Sequence, residues 1–207
     1  KPRRKTNLPK TILIILALLV AALPLTALRS IMDSYQAEAR GDYNDALAIA
    51  RELLDAAPND AFYQVRVAWL LYLQGNYGDA ASAYQASIRL QDSLDAQLGR
   101  LNSLLALGRY TEALQHSRAQ IVLHPENTVL LGKGAYAAYM LKDYRTAAEF
   151  FGRIAVLYPW DMENREYLMN NLYLSEQEDA AREHYLFLKK YYPQASLLPN
   201  YERIFEP

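Results

Sequence analysis

Residues 41–46 have the sequence GDYNDA, and related copies of this hexapeptide follow at a nearly constant interval. The copies are GNYGDA at 75–80, GRYTEA at 108–113, KDYRTA at 142–147 and the degraded EQEDAA at 176–181. Their first residues lie 34, 33, 34 and 34 positions apart. Self-similarity with a period of about 20 to 50 residues is typical of an array of stacked structural repeats. We therefore interpret most of the chain as one repeat array.

The residue types in the hexapeptide predict a helix–turn–helix unit. A glycine such as Gly41 allows the left-handed backbone that ends one helix, and Tyr43 then begins the next. A small residue such as Ala46 lets two antiparallel helices approach closely. Proline cannot continue a helix interior, and it returns in phase near the end of four copies, at Pro58, Pro125, Pro159 and Pro193. The sequence thus predicts an all-α protein in which each helical pair is covered by its neighbours.

The pattern resembles the tetratricopeptide repeat (TPR) family. The resemblance rests on the Gly-x-Tyr-xx-Ala turn and the closing proline, and the fourth copy shows it best, with Gly134, Ala135, Tyr144, Ala147, Phe151, Ile154 and Pro159. It implies a right-handed superhelical solenoid of about five repeats with a concave inner face. The expected repeats are 27–60, 61–93, 94–127, 128–161 and 162–195, followed by a C-terminal cap at 196–207.

The N-terminal segment has a different character. Residues 1–10 contain five Lys or Arg and no acid, and residues 11–28 contain no charge. About 20 apolar helical residues cross a bilayer, so we expect a transmembrane signal anchor at 11–29 with its basic tail in the cytoplasm. A cleaved signal peptide and a buried core helix are the alternatives. Ala17 and Ala21 form a small-xxx-small pair that would let another helix approach. We further expect one nearly continuous helix from about Thr11 to Ala39, which joins the apolar segment to the first repeat and bends, if at all, at Pro24.

Composition excludes several classes of function. The chain has no cysteine, which excludes disulfides, thiolate metal sites and a cysteine nucleophile. The three histidines lack the spacing of a metal site, and no phosphate-binding loop or nucleophile motif is present. Outside the basic tail the net charge is −6 and the basic residues are dispersed, which argues against nucleic-acid binding. We expect no enzymatic activity, no cofactor and no metal.

The family resemblance implies a partner-binding groove lined by the leading helix of each repeat. Carried onto this sequence, the implied groove residues are Tyr35, Phe62, Trp69, Tyr72, Asn102, Tyr136, Tyr139, Asn170 and Tyr173. Aromatic anchors and asparagines suit an apolar or aromatic peptide segment or helix. Alternatively, several of these aromatic residues fill the cores between repeats. Basic residues are absent from the expected lining, which argues against capture of acidic chaperone tails.

These features together predict a scaffold or adaptor that binds other proteins and helps to assemble a cell-envelope complex. The expected location is the bacterial inner membrane, with a single span and the repeats on the periplasmic side. One alternative is a constitutive structural subunit that packs through its transmembrane helix. A second is an import-type receptor of an organelle, with the opposite orientation.

Overall fold

The computed structural model describes residues 30–206, and this part of the chain consists of eleven α-helices without a β-strand. Five leading helices alternate with five trailing helices, as the sequence pattern predicts. The leading helices are α1 (Ile31–Ala39), α3 (Ala61–Leu73), α5 (Leu94–Ala106), α7 (Thr128–Met140) and α9 (Met162–Leu174). The trailing helices are α2 (Tyr43–Ala56), α4 (Tyr77–Leu90), α6 (Tyr110–Leu123), α8 (Tyr144–Leu157) and α10 (Glu178–Tyr191), and α11 (Leu198–Phe205) follows them.

The turns inside the helical pairs have the predicted left-handed backbone. The φ angle is +79° at Gly41, +78° at Gly75 and +69° at Gly108. The last two pairs keep the same conformation without glycine, at Lys142 (φ +60°) and Glu176 (φ +63°). An L-residue in this region costs about 1–2 kcal/mol, so packing of the repeats holds these two turns in place.

Polar N-caps set where most leading helices begin. The side chain of Asp60 accepts a 2.8 Å hydrogen bond from the backbone N–H of Phe62, and Ser93, Asn127 and Asp161 cap the three later leading helices in the same way. Each cap satisfies a donor that the first helical turn leaves open. The starting point of these four leading helices therefore follows from the residue just before each of them.

The helices pack in chain order, each against its neighbours, and α5 also lies side by side with α3 and with α7. The alanine of each hexapeptide copy is fully buried, as predicted for a position of close helix approach; these are Ala46, Ala80, Ala113, Ala147 and Ala181. The leading helices therefore form one shared surface along the solenoid. Helix α11 packs on α10 beyond the last repeat. The exact repeat boundaries given above stay predictions.

Residues 1–29 lie outside the described residues, and with them the predicted tail, the transmembrane segment and the pair Ala17 and Ala21. At Ser30 the backbone is extended (φ −104°, ψ 164°), and this residue forms a capping box with Asp33. Helix α1 thus starts at Ile31, and the prediction of one nearly continuous helix from about Thr11 to Ala39 is wrong at Ser30. A polar cap that satisfies the first-turn donors favours a new helix start there. Within residues 30–206, every helix is too short or too polar to traverse a lipid bilayer.

Candidate protein-binding surface

The surface formed by the leading helices, hereafter the groove, contains three cavities in a row. The N-terminal cavity lies between α1 and α3 and measures about 520 Å³. The central cavity, of about 450 Å³, lies between α3, α5 and α7, and the C-terminal cavity, of about 480 Å³, lies between α7, α8 and α9. The last two share Gly132 and Tyr136, so they form one continuous depression.

A buried arginine organises the N-terminal cavity. Arg66 is 4% exposed and pairs with Glu38, and its guanidinium also donates to the Ser34 carbonyl at 2.9 Å and the Ser34 hydroxyl at 3.0 Å. The Tyr35 ring lies 4.1 Å from the guanidinium carbon. Glu38 accepts a further 2.8 Å hydrogen bond from Nε1 of Trp69. Each nitrogen of the Arg66 guanidinium and the indole nitrogen of Trp69 therefore donates to an acceptor within the protein.

Three of the predicted groove residues meet in this cavity. Tyr35, Phe62 and Trp69 line it together, and the Phe62 side chain is the most open of them at 53% exposure. The indole of Trp69 also stacks on the ring of Tyr72, with centroids 5.9 Å apart. Trp69 therefore has a structural role as well as an exposed face.

The central cavity corrects the expectation that the groove lining lacks basic residues. Tyr72, Asn102 and Tyr136 line it as predicted, but so does Lys133. The Lys133 side chain is half-buried, and desolvation lowers the pKa of its amine without an offsetting carboxylate. Lys133 lies on α7, and the cavity that it lines is formed together with α3 and α5. The spacing of residues along α7 alone does not show that this lysine reaches the cavity.

The C-terminal cavity is lined by aromatic rings and by two amides. Tyr136, Tyr139 and Asn170 line it as predicted, beside the packed rings of Phe151 and Tyr167, whose centroids are 5.4 Å apart. Four further lining residues were not predicted to face the groove: Phe151, Tyr167, Asn171 and Leu197. Of these, Phe151 comes from a trailing helix and Leu197 from the segment before α11, so no pattern within the leading helices identifies them.

Asn171 is the buried amide of this cavity, and it is 2% exposed. Its Nδ2 donates a 2.8 Å hydrogen bond to the Tyr167 carbonyl. Its Oδ1 is closed to water and accepts no hydrogen bond from the described chain. Buried acceptors are nearly always satisfied in folded proteins, so this atom is an exception that calls for an explanation.

The C-terminal cap covers the last two predicted groove residues. The hydroxyl of Tyr201 donates a 2.6 Å hydrogen bond to Oδ1 of Asn170. Tyr173 packs edge-on against the rings of Tyr201 and Phe205, at 5.2 and 6.0 Å, and it lines none of the three cavities. The backbone N–H of Leu197 donates to Glu166 at 2.7 Å and holds the wall of the C-terminal cavity in place.

Among residues 30–206, no three His, Asp or Glu side chains lie close enough together to hold a metal ion. His116 and His184 are half-buried and contact arginines, whereas His124 is exposed.

The comparisons with known proteins agree with this architecture. A family model described as tetratricopeptide repeat matches residues 35–95 and 66–128. None of the curated proteins compared with the chain matches it.

Three solved structures with the same fold illustrate the likeness. The structure described as MamA 41-end from Desulfovibrio magneticus RS-1 superposes with a TM-score of 0.68 at 18% identity, covering 79% of this chain and 93% of that chain. YrrB, described as a TPR protein with an unusual peptide-binding site, gives 0.70 at 14% identity and covers 84% of this chain and 90% of YrrB. A tetratricopeptide repeat protein from Parabacteroides merdae gives 0.71 at 17% identity, with 81% of this chain and 67% of that chain covered. At these identities the likeness concerns the fold. The repeated turns and the stacked helical pairs form a solenoid like that of tetratricopeptide repeat proteins, and the family model matches residues 35–128 of this chain.

Proposed function

We propose that this protein is a scaffold or adaptor that binds an apolar or aromatic segment of another protein in its groove. The observation that carries the proposal is the series of exposed aromatic side chains that line the three cavities of the groove. Phe62 is 53% exposed and Tyr136 46% exposed, and both line cavities where a ligand would desolvate them. Aromatic side chains in such pockets supply much of the binding energy at protein interfaces. The peptide-binding site named for YrrB supports the same use of the fold here.

The proposal includes a location. Residues 1–10 and 11–29 would form a cytoplasmic basic tail and a signal anchor, and the repeats would face the periplasm, where they help to assemble a cell-envelope complex. Its support is the sequence alone: five cations followed by eighteen uncharged residues. Membrane fractionation of the full chain and of a chain lacking residues 1–29 tests it. We expect only the full chain to sediment with membranes, and sedimentation of both forms would contradict the anchor.

Site-specific photo-crosslinking in cells tests the groove. A benzophenone amino acid placed at Tyr136 should yield a covalent adduct of defined mass with a partner protein. The control position is Val122 on the trailing helix α6, which is 79% exposed and lies outside the groove cavities. Adducts from Val122 but not from Tyr136 would place the interface elsewhere and refute the groove.

A binding measurement with the partner identified by crosslinking distinguishes an adaptor from a permanent subunit. The purified partner should bind the full chain, and Tyr136→Ala should weaken that binding by about tenfold or more, because truncation of an aromatic anchor typically costs 2 kcal/mol or more. A partner that co-purifies in fixed stoichiometry, and whose binding Tyr136→Ala does not change, would instead indicate a constitutive structural subunit.

A further inference from the structure

We propose that one edge of the solenoid lies on the lipid bilayer, with Val156 and Trp160 inserted among the lipid headgroups. The inference rests on the proposed function, because the signal anchor is what would bring this edge to the membrane. Helices joined by short turns run antiparallel, so each trailing helix ends beside the start of the next leading helix. These junctions form one edge, hereafter the linking edge, and the hexapeptide turns form the opposite edge, hereafter the turn edge.

Hydrogen bonds connect neighbouring junctions along the linking edge. Nη2 of Arg153, near the end of α8, donates to the Pro125 carbonyl in the junction before α7 at 2.6 Å. The hydroxyl of Tyr192, which follows α10, donates to the Trp160 carbonyl in the junction before α9 at 2.7 Å. The junctions of the last three repeats therefore lie side by side and present one continuous strip of surface.

The linking edge carries the most exposed apolar side chains of the described chain. Within residues 30–206, every large apolar side chain that is more than half exposed lies near a helix end at this edge; these are Met32, Phe62, Val122, Leu123, Val156, Tyr158 and Trp160. Val156 is 81% exposed and Trp160 61%, whereas at the turn edge, in the same range, no large apolar side chain exceeds 40%. Val122 and Val156 lie 34 positions apart, so the exposure repeats with the array.

The composition of the strip suits the interface between lipid and water. The indole of Trp160 packs with the rings of Phe187 and Tyr191, with both centroid distances 5.5 Å, and forms an aromatic cluster at the edge. Tryptophan and tyrosine are enriched at the level of the lipid headgroups, because their rings combine an apolar body with a polar group. Exposed charges of both signs flank the strip, among them Arg89, Glu126 and Lys190. We therefore expect a contact that depends on apolar insertion and not on anionic lipid.

The position of the anchor brings the linking edge to this layer. The uncharged run ends at Leu28 and α1 begins at Ile31, and these three steps of the chain span at most about 10 Å. The headgroup layer of one leaflet is about 5–7 Å thick. The later leading helices have 13 residues each and α1 has nine, so their starts extend about one turn, or about 5 Å, beyond that of α1 at the linking edge. An anchored chain would thus hold this edge at headgroup level.

Tethering is what makes such a small contact effective. Even a myristoyl chain by itself gives only marginal, reversible membrane binding, and the strip offers only a few side chains. A chain that lacks residues 1–29 should therefore not sediment with membranes through this edge. The anchor raises the effective concentration of the edge at the bilayer, so that a weak contact becomes occupied.

Tryptophan fluorescence tests the contact, because the chain has two tryptophans and one of them lies on the linking edge. Trp69→Phe leaves Trp160 as the sole tryptophan, and Trp160→Phe leaves Trp69 in the groove as the matched control. Each full-length variant is reconstituted, one chain per nanodisc, in phosphatidylcholine with or without bromine on the acyl chains. Bromine quenches an indole that contacts the lipid. We expect a loss of Trp160 fluorescence in the brominated nanodiscs, at low and high salt alike, and unchanged fluorescence of Trp69.

An added charge gives a second measurement. Val156→Asp, combined with Trp69→Phe, places a carboxylate in the strip at a position that is open to water in the free protein, so the fold should be unaffected. Because a carboxylate resists transfer from water into lipid, this variant should lose the quenching of Trp160. Thr111→Asp is the control, since Thr111 is exposed in the first turn of α6 at the turn edge, where an acid favours the helix. It should keep the quenching.

Each unfavourable result has a distinct meaning. Membrane-bound chains whose Trp160 is not quenched would overturn the edge contact and leave the anchor intact. A blue shift of Trp160 emission in solution that grows with protein concentration would assign the strip to a second copy of the chain instead. A full chain that does not sediment with membranes would overturn the anchor, and the edge contact with it. The groove is tested separately, because its experiment reads protein adducts and a lipid adduct at Val122 is not one of these.

Discussion

Tyr201 on α11 donates a 2.6 Å hydrogen bond to Oδ1 of Asn170 on α9, and this bond joins the C-terminal cap to the edge of the groove. Tyr201 is buried, and its ring stacks on Phe205 with centroids 5.7 Å apart. The cap helix therefore covers the apolar end of the last repeat, which would otherwise have no neighbour.

Removing this hydroxyl should loosen the cap. Tyr201→Phe keeps the ring and leaves the Asn170 oxygen without its donor, so we expect the free energy of unfolding to fall by about 1 kcal/mol. Urea denaturation followed by circular dichroism measures the change. Tyr191→Phe on the exposed face of α10 is the control and should shift stability by less than about 0.5 kcal/mol. Equal effects of the two changes would contradict the role of the bond.

The buried ion pair under the N-terminal cavity should be important for stability. Glu38→Gln removes the charge that faces Arg66, which is almost completely buried, and we expect a loss of about 3 kcal/mol because an unpaired buried charge remains. The exposed pair between Arg109 and Glu112 is the matched control. Glu112→Gln should change the free energy of unfolding by less than about 1 kcal/mol. Thermal denaturation of both variants at one pH compares them. Similar losses of unfolding free energy would contradict the prediction that the buried pair contributes more to stability than the exposed one.

The same substitution should have opposite effects at two helical glycines. A Cβ at Gly99 would lie 2.2 Å from the ring of Tyr84, which is buried, so Gly99→Ala should destabilise the protein by about 1–3 kcal/mol through overpacking. Gly132 has room for a Cβ. Gly132→Ala should stabilise the protein by up to about 1 kcal/mol, since alanine favours the helix. Chemical denaturation of the two variants checks both signs, and a stabilising Gly99→Ala would show that Tyr84 moves away freely.

Two half-buried histidines should make stability depend on pH. Nε2 of His116 faces the Gln97 carbonyl at 3.0 Å, and Nδ1 faces the Arg100 guanidinium at 2.7 Å, an arrangement that requires the neutral ring with Nδ1 as acceptor. Nδ1 of His184 faces Arg165 at 2.9 Å in the same way. Desolvation, and then the neighbouring arginine, lowers the pKa of each histidine, although the Gln97 carbonyl bond and nearby acids partly oppose this.

The direction of the effect follows from proton binding. Since the folded-state pKa lies below the unfolded value of about 6.5, the unfolded chain binds more protons below that pH, and stability falls as the pH drops from about 7 toward 5. The free energy of unfolding measured at both ends of this range gives the slope. His116→Gln combined with His184→Gln should flatten it, and His124→Gln, at an exposed position, should not. An unchanged slope in the double variant would assign the pH dependence to other groups.

Much of the architecture follows from local sequence. The turn at Gly41, the helix start at Tyr43 and the buried Ala46 are short-range consequences of residue type, and they return at the same spacing in each copy. A left-handed turn needs a residue that tolerates it, and a close helix approach needs a small side chain, so these features are evident in a single sequence. The sequence alone also predicted that the candidate site lies on the leading helices, where Phe62 and Tyr136 are exposed.

Only the tertiary structure decided how these side chains are used. Arg66 meets Glu38 across 28 positions, and Tyr201 covers Asn170 across 31. The C-terminal cavity needs Phe151 from a trailing helix and Leu197 from beyond the repeats. Periodicity assigns a residue to a face of its own helix. Whether that residue is buried, paired or exposed depends on a segment distant in the sequence, and the position of that segment depends on packing. For that reason the repeat array was predictable from one sequence, whereas the buried and unsatisfied Oδ1 of Asn171 became visible only once the helices were assembled.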